Sequence, residues 1–193
     1  MRTLDELTAA WASRVPAPRD AGTVRLICLR KGGGVHETPD SAEVTARNGI
    51  RGDRWALRGA GRDPDGETAV TLINATVAEL VAAEVQPLHA AGDNLVVDLD
   101  IGTSALPAGS RLAIGDVILR VSEQPHTGCS TFRDKFGLDA LKWVSTPAGR
   151  ADRLRGVNCS VVRPGTVRVG DTIRVERPAV GRPLPESDVI GAL

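Results

Sequence analysis

The sequence predicts a mostly β protein, a β-barrel-like sheet with a few inserted helices. Three observations lead there. Strand-like runs clearly outnumber helical ones. Two short segments share one plan: Arg111–Val121 is apolar on both sides of Gly115-Asp116, and Thr166–Val175 is apolar on both sides of Gly170-Asp171. Each reads as a tight two-residue hairpin, and a repeated short hairpin favours a closed or nearly closed barrel. The two copies lie far apart in unlike surroundings, which argues against a solenoid.

Taken in order, Leu4, Leu7, Ala10 and Trp11 fall at helical spacing, so residues 3–14 form a short amphipathic helix that Pro16 and Pro18 end. It is expected to pack on the main body as an appendage. Val24–Arg30 is a β-branched, apolar strand, and Lys31-Gly32-Gly33-Gly34 is a flexible turn. Ser41–Ala46 and Ile50–Leu57 are weaker strands, and Gly59–Glu67 is a loop. Thr68–Ile73 is a strand. Asn74–Glu84 is a helix capped by Asn74 or by the Thr76/Glu79 pair. Asn94–Leu99 is a strand, and the first hairpin follows. Thr131–Trp143 is a helix that Gly137 kinks or splits, with Phe132, Phe136 and Leu141 turned inward. Gly156–Val162 is a strand, and Pro164-Gly165 turns the chain into the last hairpin. The expected organisation is a helical extension over 1–22, a barrel domain over 23–176 and a Pro-rich tail over 177–193.

Composition narrows the function. Lys plus Arg and Asp plus Glu both total 24 in 193 residues. A neutral chain has no basic footprint for nucleic acid and no field for an anionic membrane. An anion site must therefore be built locally. Three cysteines, Cys28, Cys129 and Cys159, do not make a disulfide framework, and free thiols suit a reducing compartment. No apolar run reaches membrane-span length. Asp5 and Glu6 stand where a signal peptide would be apolar, so a cytoplasmic location is expected.

The segment Gln124-Pro-His-Thr-Gly-Cys-Ser-Thr-Phe-Arg133 carries the most chemistry. Pro125 and Gly128 enforce a turn, and Ser130 or Thr131 can cap the helix that follows. Cys129 then lies at a helix start, where partial positive charge favours a thiolate, with His126 and Arg133 adding to it. A thiolate is both a nucleophile and a soft metal ligand. The plain alternative is a buried structural cysteine, which is the expectation for Cys28 and Cys159 inside apolar strands. His126 reads equally as a turn residue or as a proton shuttle. No CxxC, HExxH, Walker, Rossmann or GxSxG pattern occurs, and three cysteines fall short of an all-cysteine iron–sulfur cluster. A metal at Cys129 needs its remaining ligands from a cofactor.

Five pieces in order resemble one family: Asn48-Gly-Ile-Arg-Gly-Asp-Arg54, Gly92-Asp-Asn-Leu95, the Leu106–Val121 hairpin, Cys129, and Gly156–Asp171. Together they resemble the MOSC domain, named after the C-terminal domain of molybdenum cofactor sulfurase, over roughly residues 23–176. The resemblance implies a β-barrel-like fold. It implies molybdenum cofactor (molybdopterin) binding in some members, with the cysteine matching Cys129 as the metal ligand and N-hydroxylated compounds as substrates. Other members are proposed to carry sulfur as a persulfide on that cysteine. Arg51, Asp53 and Arg54 fall in the family's Gly-Ile-x-Gly-Asp-Arg motif and Asn94 in its Gly-Glu-Asn-Leu motif. Here Asp93 stands in place of the Glu, and Trp55 where His or Tyr is frequent.

Such a cofactor carries a phosphate, which needs local cations and N–H donors. Lys31, Arg51, Arg54 and Arg133, in or beside predicted loops, are the candidate cations, each with a solvated surface role as the alternative. Asn94, His126 and Thr127 are further candidates, Asn94 reading equally as a turn or cap residue, and Asp53 is a candidate that can also simply fix a turn. Three readings stay open: a reductase served by a separate electron-donor protein, a sulfur carrier, and a binding module without turnover. The first takes a small-molecule substrate, the second hands its sulfur to a metal–sulfur centre, and the third recognises an anionic ligand or a partner.

Overall fold

The computed structural model describes residues 1–59, 63, 65–83 and 85–178. Helix α1 (Leu4–Ala12) starts at a capping box in which Thr3 accepts from the Glu6 backbone while the Glu6 carboxylate accepts from the Thr3 backbone. The strands are β1 (Ala21–Ile27), β2 (Leu29–Gly32), β3 (Val35–Glu37), β4 (Ser41–Thr45) and β5 (Gly49–Ile50). Helix α2 (Trp55–Gly59), strand β6 (Val70–Asn74), helix α3 (Ala75–Ala82) and strand β7 (Leu95–Asp98) follow. Then come β8 (Arg111–Ile114), β9 (Val117–Val121), helices α4 (Ser130–Ser145) and α5 (Pro147–Ala151), and strands β10 (Val157–Arg163), β11 (Gly165–Arg168) and β12 (Thr172–Glu176).

Seven strands close into a barrel in the order β1-β12-β8-β9-β10-β6-β7, with β7 returning to β1. Every pairing in it is antiparallel except β6 with β7. Those two strands explain how the sequence builds two cores. Leu72, Leu95 and Val97 face the barrel interior with Ile27, Leu112 and Ile173. Ile73 and Val96 point the other way, onto a second core with Leu7, Val77, Phe132, Phe136 and Trp143 of the helices. Alternation along a strand sends neighbours to opposite faces. With both faces covered, β6 is buried at every position.

The mostly β barrel with inserted helices matches the sequence reading. Asn74 caps α3 by accepting from Val77 N. The first Gly-Asp hairpin forms with Ile114 opposite Val117. Helix α4 breaks at Gly137, whose φ of 88° and ψ of 169° only glycine adopts readily.

Local pattern misled in three places. Thr166–Val175 is not a hairpin: β11 pairs with β4, and β12 with β1 and β8. Asp171 Oδ2 accepts from Arg168 N, and Gly170 N donates to Val24 O, so the turn is real but its two strands part into different sheets. Ile50–Leu57 is strand only at Ile50. Asp53 then accepts from Trp55 N and opens the short helix α2. Val24–Arg30 is interrupted at Cys28, whose N–H donates to Asn94 O. Residues 60–62, 64 and 84 of the predicted loop and helix, and 179–193 of the predicted tail, lie outside the described residues.

Candidate functional site

The loop from Ser122 to Gly128 joins β9 to α4. It forms one wall of a cavity of about 510 Å³, closed on the other side by residues from Gly149 to Val157 and by Val144 and Ser145 of α4. That volume lies within the range of small-molecule sites, roughly 300–1,000 Å³. Cys129 follows directly on the wall. It is exposed and occupies the N-cap of α4 in an extended conformation (φ −126°, ψ 176°), without a side-chain capping bond. The break at Gly137 leaves a first helical segment of Ser130–Phe136. The other two thiols are different. Cys28 and Cys159 are fully buried, and burial pushes both up to about 12.

His126 lines the same cavity, and its Nδ1 lies 3.3 Å from Asp93 Oδ1. The other Asp93 oxygen accepts from Arg155 Nη1 at 2.7 Å. Asp93 has no exposed side-chain surface, and Arg155, also on the cavity wall, lies with its guanidinium carbon 5.0 Å from the Phe132 ring centroid. Burial lowers His126 to about 4, the attraction of Asp93 working against that and the Arg155 and Arg30 charges with it. The imidazole is therefore neutral at pH 7. Gly156 (φ 107°) sits behind it: a Cβ there would stand 3.2 Å from His126 Nδ1 and collide with the Leu72 carbonyl oxygen.

Two further arginines give the cavity its sign. Arg153 uses Nη1 on the carbonyl of Leu106 at 2.5 Å, and Arg150 is exposed on the rim. Among the described residues, neither is paired with a carboxylate, and Glu123 is the one carboxylate in the lining. The sequence reading missed Arg150, Arg153 and Arg155. Their run just before β10 is a usable signal, but a chain with 24 Lys and Arg offers many such runs.

The residues of the two motifs meet elsewhere. Asp53 is buried and takes Arg30 Nη2 at 2.7 Å, the Arg30 N–H at 2.7 Å and Asn94 Nδ2 at 3.1 Å. Burial raises the Asp53 carboxyl, but its bonds to Arg30 and the Trp55 N–H outweigh that, and the net shift is downward. Asn94 is fully buried. Its Oδ1 accepts from Thr71 N and Arg30 Nη2, and its Nδ2 also donates to Cys28 O. These two side chains are engaged inside the protein.

The predicted cations are dispersed. Lys31 pairs with Glu37 at 3.0 Å, Arg51 with Glu43 at 2.8 Å and Arg133 with Asp134 at 3.0 Å. Arg54 N donates to Arg30 O. Thr127 is exposed on the cavity wall. Lys135 Nζ donates to Ala90 O, near His36 and His89, whose rings meet edge-on at 5.5 Å. Burial, then the Lys135 charge, lowers both histidines. Among the described residues no group of three or more His, Cys, Asp and Glu is placed to hold a metal ion, and no helix is long and apolar enough to cross a membrane.

The MOSC domain family model matches residues 41–174. A comparison with curated proteins finds no match. Among solved structures, the YuaD protein from Bacillus subtilis is similar with a TM-score of 0.61 at 19% identity, covering 83% of this chain and 98% of that one. YiiM from Escherichia coli is similar with a TM-score of 0.57 at 19% identity, covering 81% of this chain and 71% of that one. YiiM from Geobacillus stearothermophilus gives 0.58 at 17% identity, with 83% and 77% covered. At these identities the likeness is one of fold.

Proposed function

The chain belongs to the MOSC domain family, which is associated with molybdenum cofactor binding, and on that premise we propose that it is a molybdenum cofactor-binding reductase of N-hydroxylated compounds with Cys129 as the metal's protein ligand. One observation carries the reading: of three cysteines, only Cys129 is exposed, and it directly follows Gly128, a lining residue of a cavity that also holds Arg150, Arg153 and Arg155. The residues present fit such a group. A soft thiolate suits molybdenum, no rival set of protein ligands surrounds it among the described residues, and Arg150 and Arg153 suit an anionic cofactor or substrate.

When bound, the cofactor supplies a two-electron centre able to take oxygen from an N–O bond. The chain's own residues do the rest. Cys129 would hold the metal, Arg150 and Arg153 would attract negative charge, and the wall from Ser122 to Gly128 would shape the neighbouring space. The overall change, R–NH–OH to R–NH2 and water, consumes two protons and two electrons, the electrons coming from a separate donor protein.

Metal analysis of protein made in cofactor-replete cells tests the reading. About one molybdenum per chain is expected, falling to near zero in Cys129→Ser. Metal-free wild-type protein from such cells overturns it. A second reading, a persulfide carrier, is favoured by the same exposed thiol lacking a capping bond. It predicts a mass increase of one sulfur that disappears in Cys129→Ser.

A further inference from the structure

His126 and Asp93 hold an unusual pair of atoms. His126 Nδ1 and Asp93 Oδ1 are both buried, and neither makes a hydrogen bond in the structure, to the other or to any other group. They lie 3.3 Å apart, so each is the other's available partner. The second Asp93 oxygen is fixed on Arg155 Nη1, and the carboxylate cannot swing away without stranding a buried guanidinium. Gly156 leaves space for the ring and little more. A carboxylate only accepts, so a small turn of the ring that closes this contact into a hydrogen bond requires the proton on Nδ1 and leaves Nε2 with its lone pair.

We propose that Asp93 is a positioning residue that fixes His126 in the Nδ1–H form, so that Nε2 serves as the cavity's hydrogen-bond acceptor, and that the cavity takes a small organic anion carrying an O–H or N–H donor. Arg150 and Arg153 receive the anionic end. His126 accepts from the donor end. For its place beside the reaction the inference rests on the Cys129 reading, but binding at the cavity does not require the metal.

Two measurements test it. In the full-length protein, nitrogen chemical shifts of the His126 imidazole at pH 7 should report a single neutral Nδ1–H tautomer. In Asp93→Asn the amide oxygen is held by Arg155, its NH2 faces Nδ1, and the ring should switch to the Nε2–H form. A merely structural role for Asp93 predicts no such switch. Binding is then measured on Cys129→Ser with 4-hydroxybenzoate, 4-methoxybenzoate and 4-hydroxybenzamide. The first should bind about tenfold more tightly than the second, the gain expected of one hydrogen bond. It should also bind more tightly than the uncharged third, and the preference for the hydroxyl should vanish in His126→Leu.

An Nε2–H or cationic ring in the wild type overturns the proposal, as does equal binding of the three probes, no binding of any, or a hydroxyl preference that survives His126→Leu. The wild-type tautomer decides the matter even if a variant fails to fold. Protein that discriminates among the probes yet never holds molybdenum keeps this inference and loses the cofactor reading. The opposite pattern keeps the cofactor reading alone.

Discussion

Asn94 donates Nδ2 to Asp53 Oδ2 at 3.1 Å, and the two are 41 positions apart in the chain. With Arg30, Thr71 and the Cys28 carbonyl they form one buried polar network. Such a network stabilises only while every member is satisfied. Asn94→Ala strands several groups at once and should cost about 2–4 kcal/mol. Asn94→Asp should cost at least as much near pH 7, because it sets a second carboxylate against Asp53. Chemical denaturation of both variants checks this; a loss under about 0.5 kcal/mol in Asn94→Ala would show the network to be dispensable.

Stability should fall as the pH drops from about 6.5 to about 4. Burial holds His126 neutral in the fold, its folded value lowered from the ordinary imidazole value of about 6.5 to about 4. The unfolded chain therefore binds the extra proton first, and stability present above pH 6.5 is lost as pH falls through that window, by up to about 3 kcal/mol. His36 and His89, also lowered, act in the same direction. Denaturation midpoints across pH 4–7 should show the slope in the wild type and a flatter one in His126→Leu.

Thiol reactivity should separate the cysteines. Iodoacetamide on the folded protein should label Cys129 alone, since Cys28 and Cys159 have no exposed surface. All three should react in denaturant, and Cys129→Ser should take up no label while folded. Mass spectrometry of the intact chain counts the adducts.

Gly156→Ala should destabilise by about 2–4 kcal/mol, through a left-handed φ of 107° and a Cβ driven at the Leu72 carbonyl. It should also disturb the His126 imidazole signal, because the same Cβ would crowd Nδ1. Thermal unfolding and the histidine spectrum read the two effects separately.

Leu7→Ala should cost about 2–4 kcal/mol, although helix α1 reads in sequence as an appendage. Leu7 is 1% exposed and packs with Phe136, Trp143 and Val77 in the second core. A change below about 1 kcal/mol in chemical denaturation would mean that α1 contributes little to that core.

What the sequence could and could not reveal follows from the range of the forces involved. Asn74 as a cap, the Gly115-Asp116 hairpin and the break at Gly137 are decided by neighbours within a few residues, and all three were legible. The partner of β11 is decided by β4, about 120 residues earlier, so a turn that looks like a hairpin gave the wrong partner. The loop before Cys129 was legible because Pro125 and Gly128 bend it. The Asp93–His126–Arg155 arrangement was not, because three distant segments meet only once the barrel exists. Asp53 and Asn94 carry visible motifs, yet their burial against Arg30 depends on the same long-range assembly.

Strand β1 lies between β12 and β7, with Thr23 paired to Thr172 on one side and to Asp98 on the other. During synthesis β1 can be gripped by β7 early, but its other edge stays open until β12 has left the ribosome. An unpaired edge invites foreign strands, so the nascent chain should be most prone to aggregate, and most in need of a chaperone, in the interval before β12 emerges.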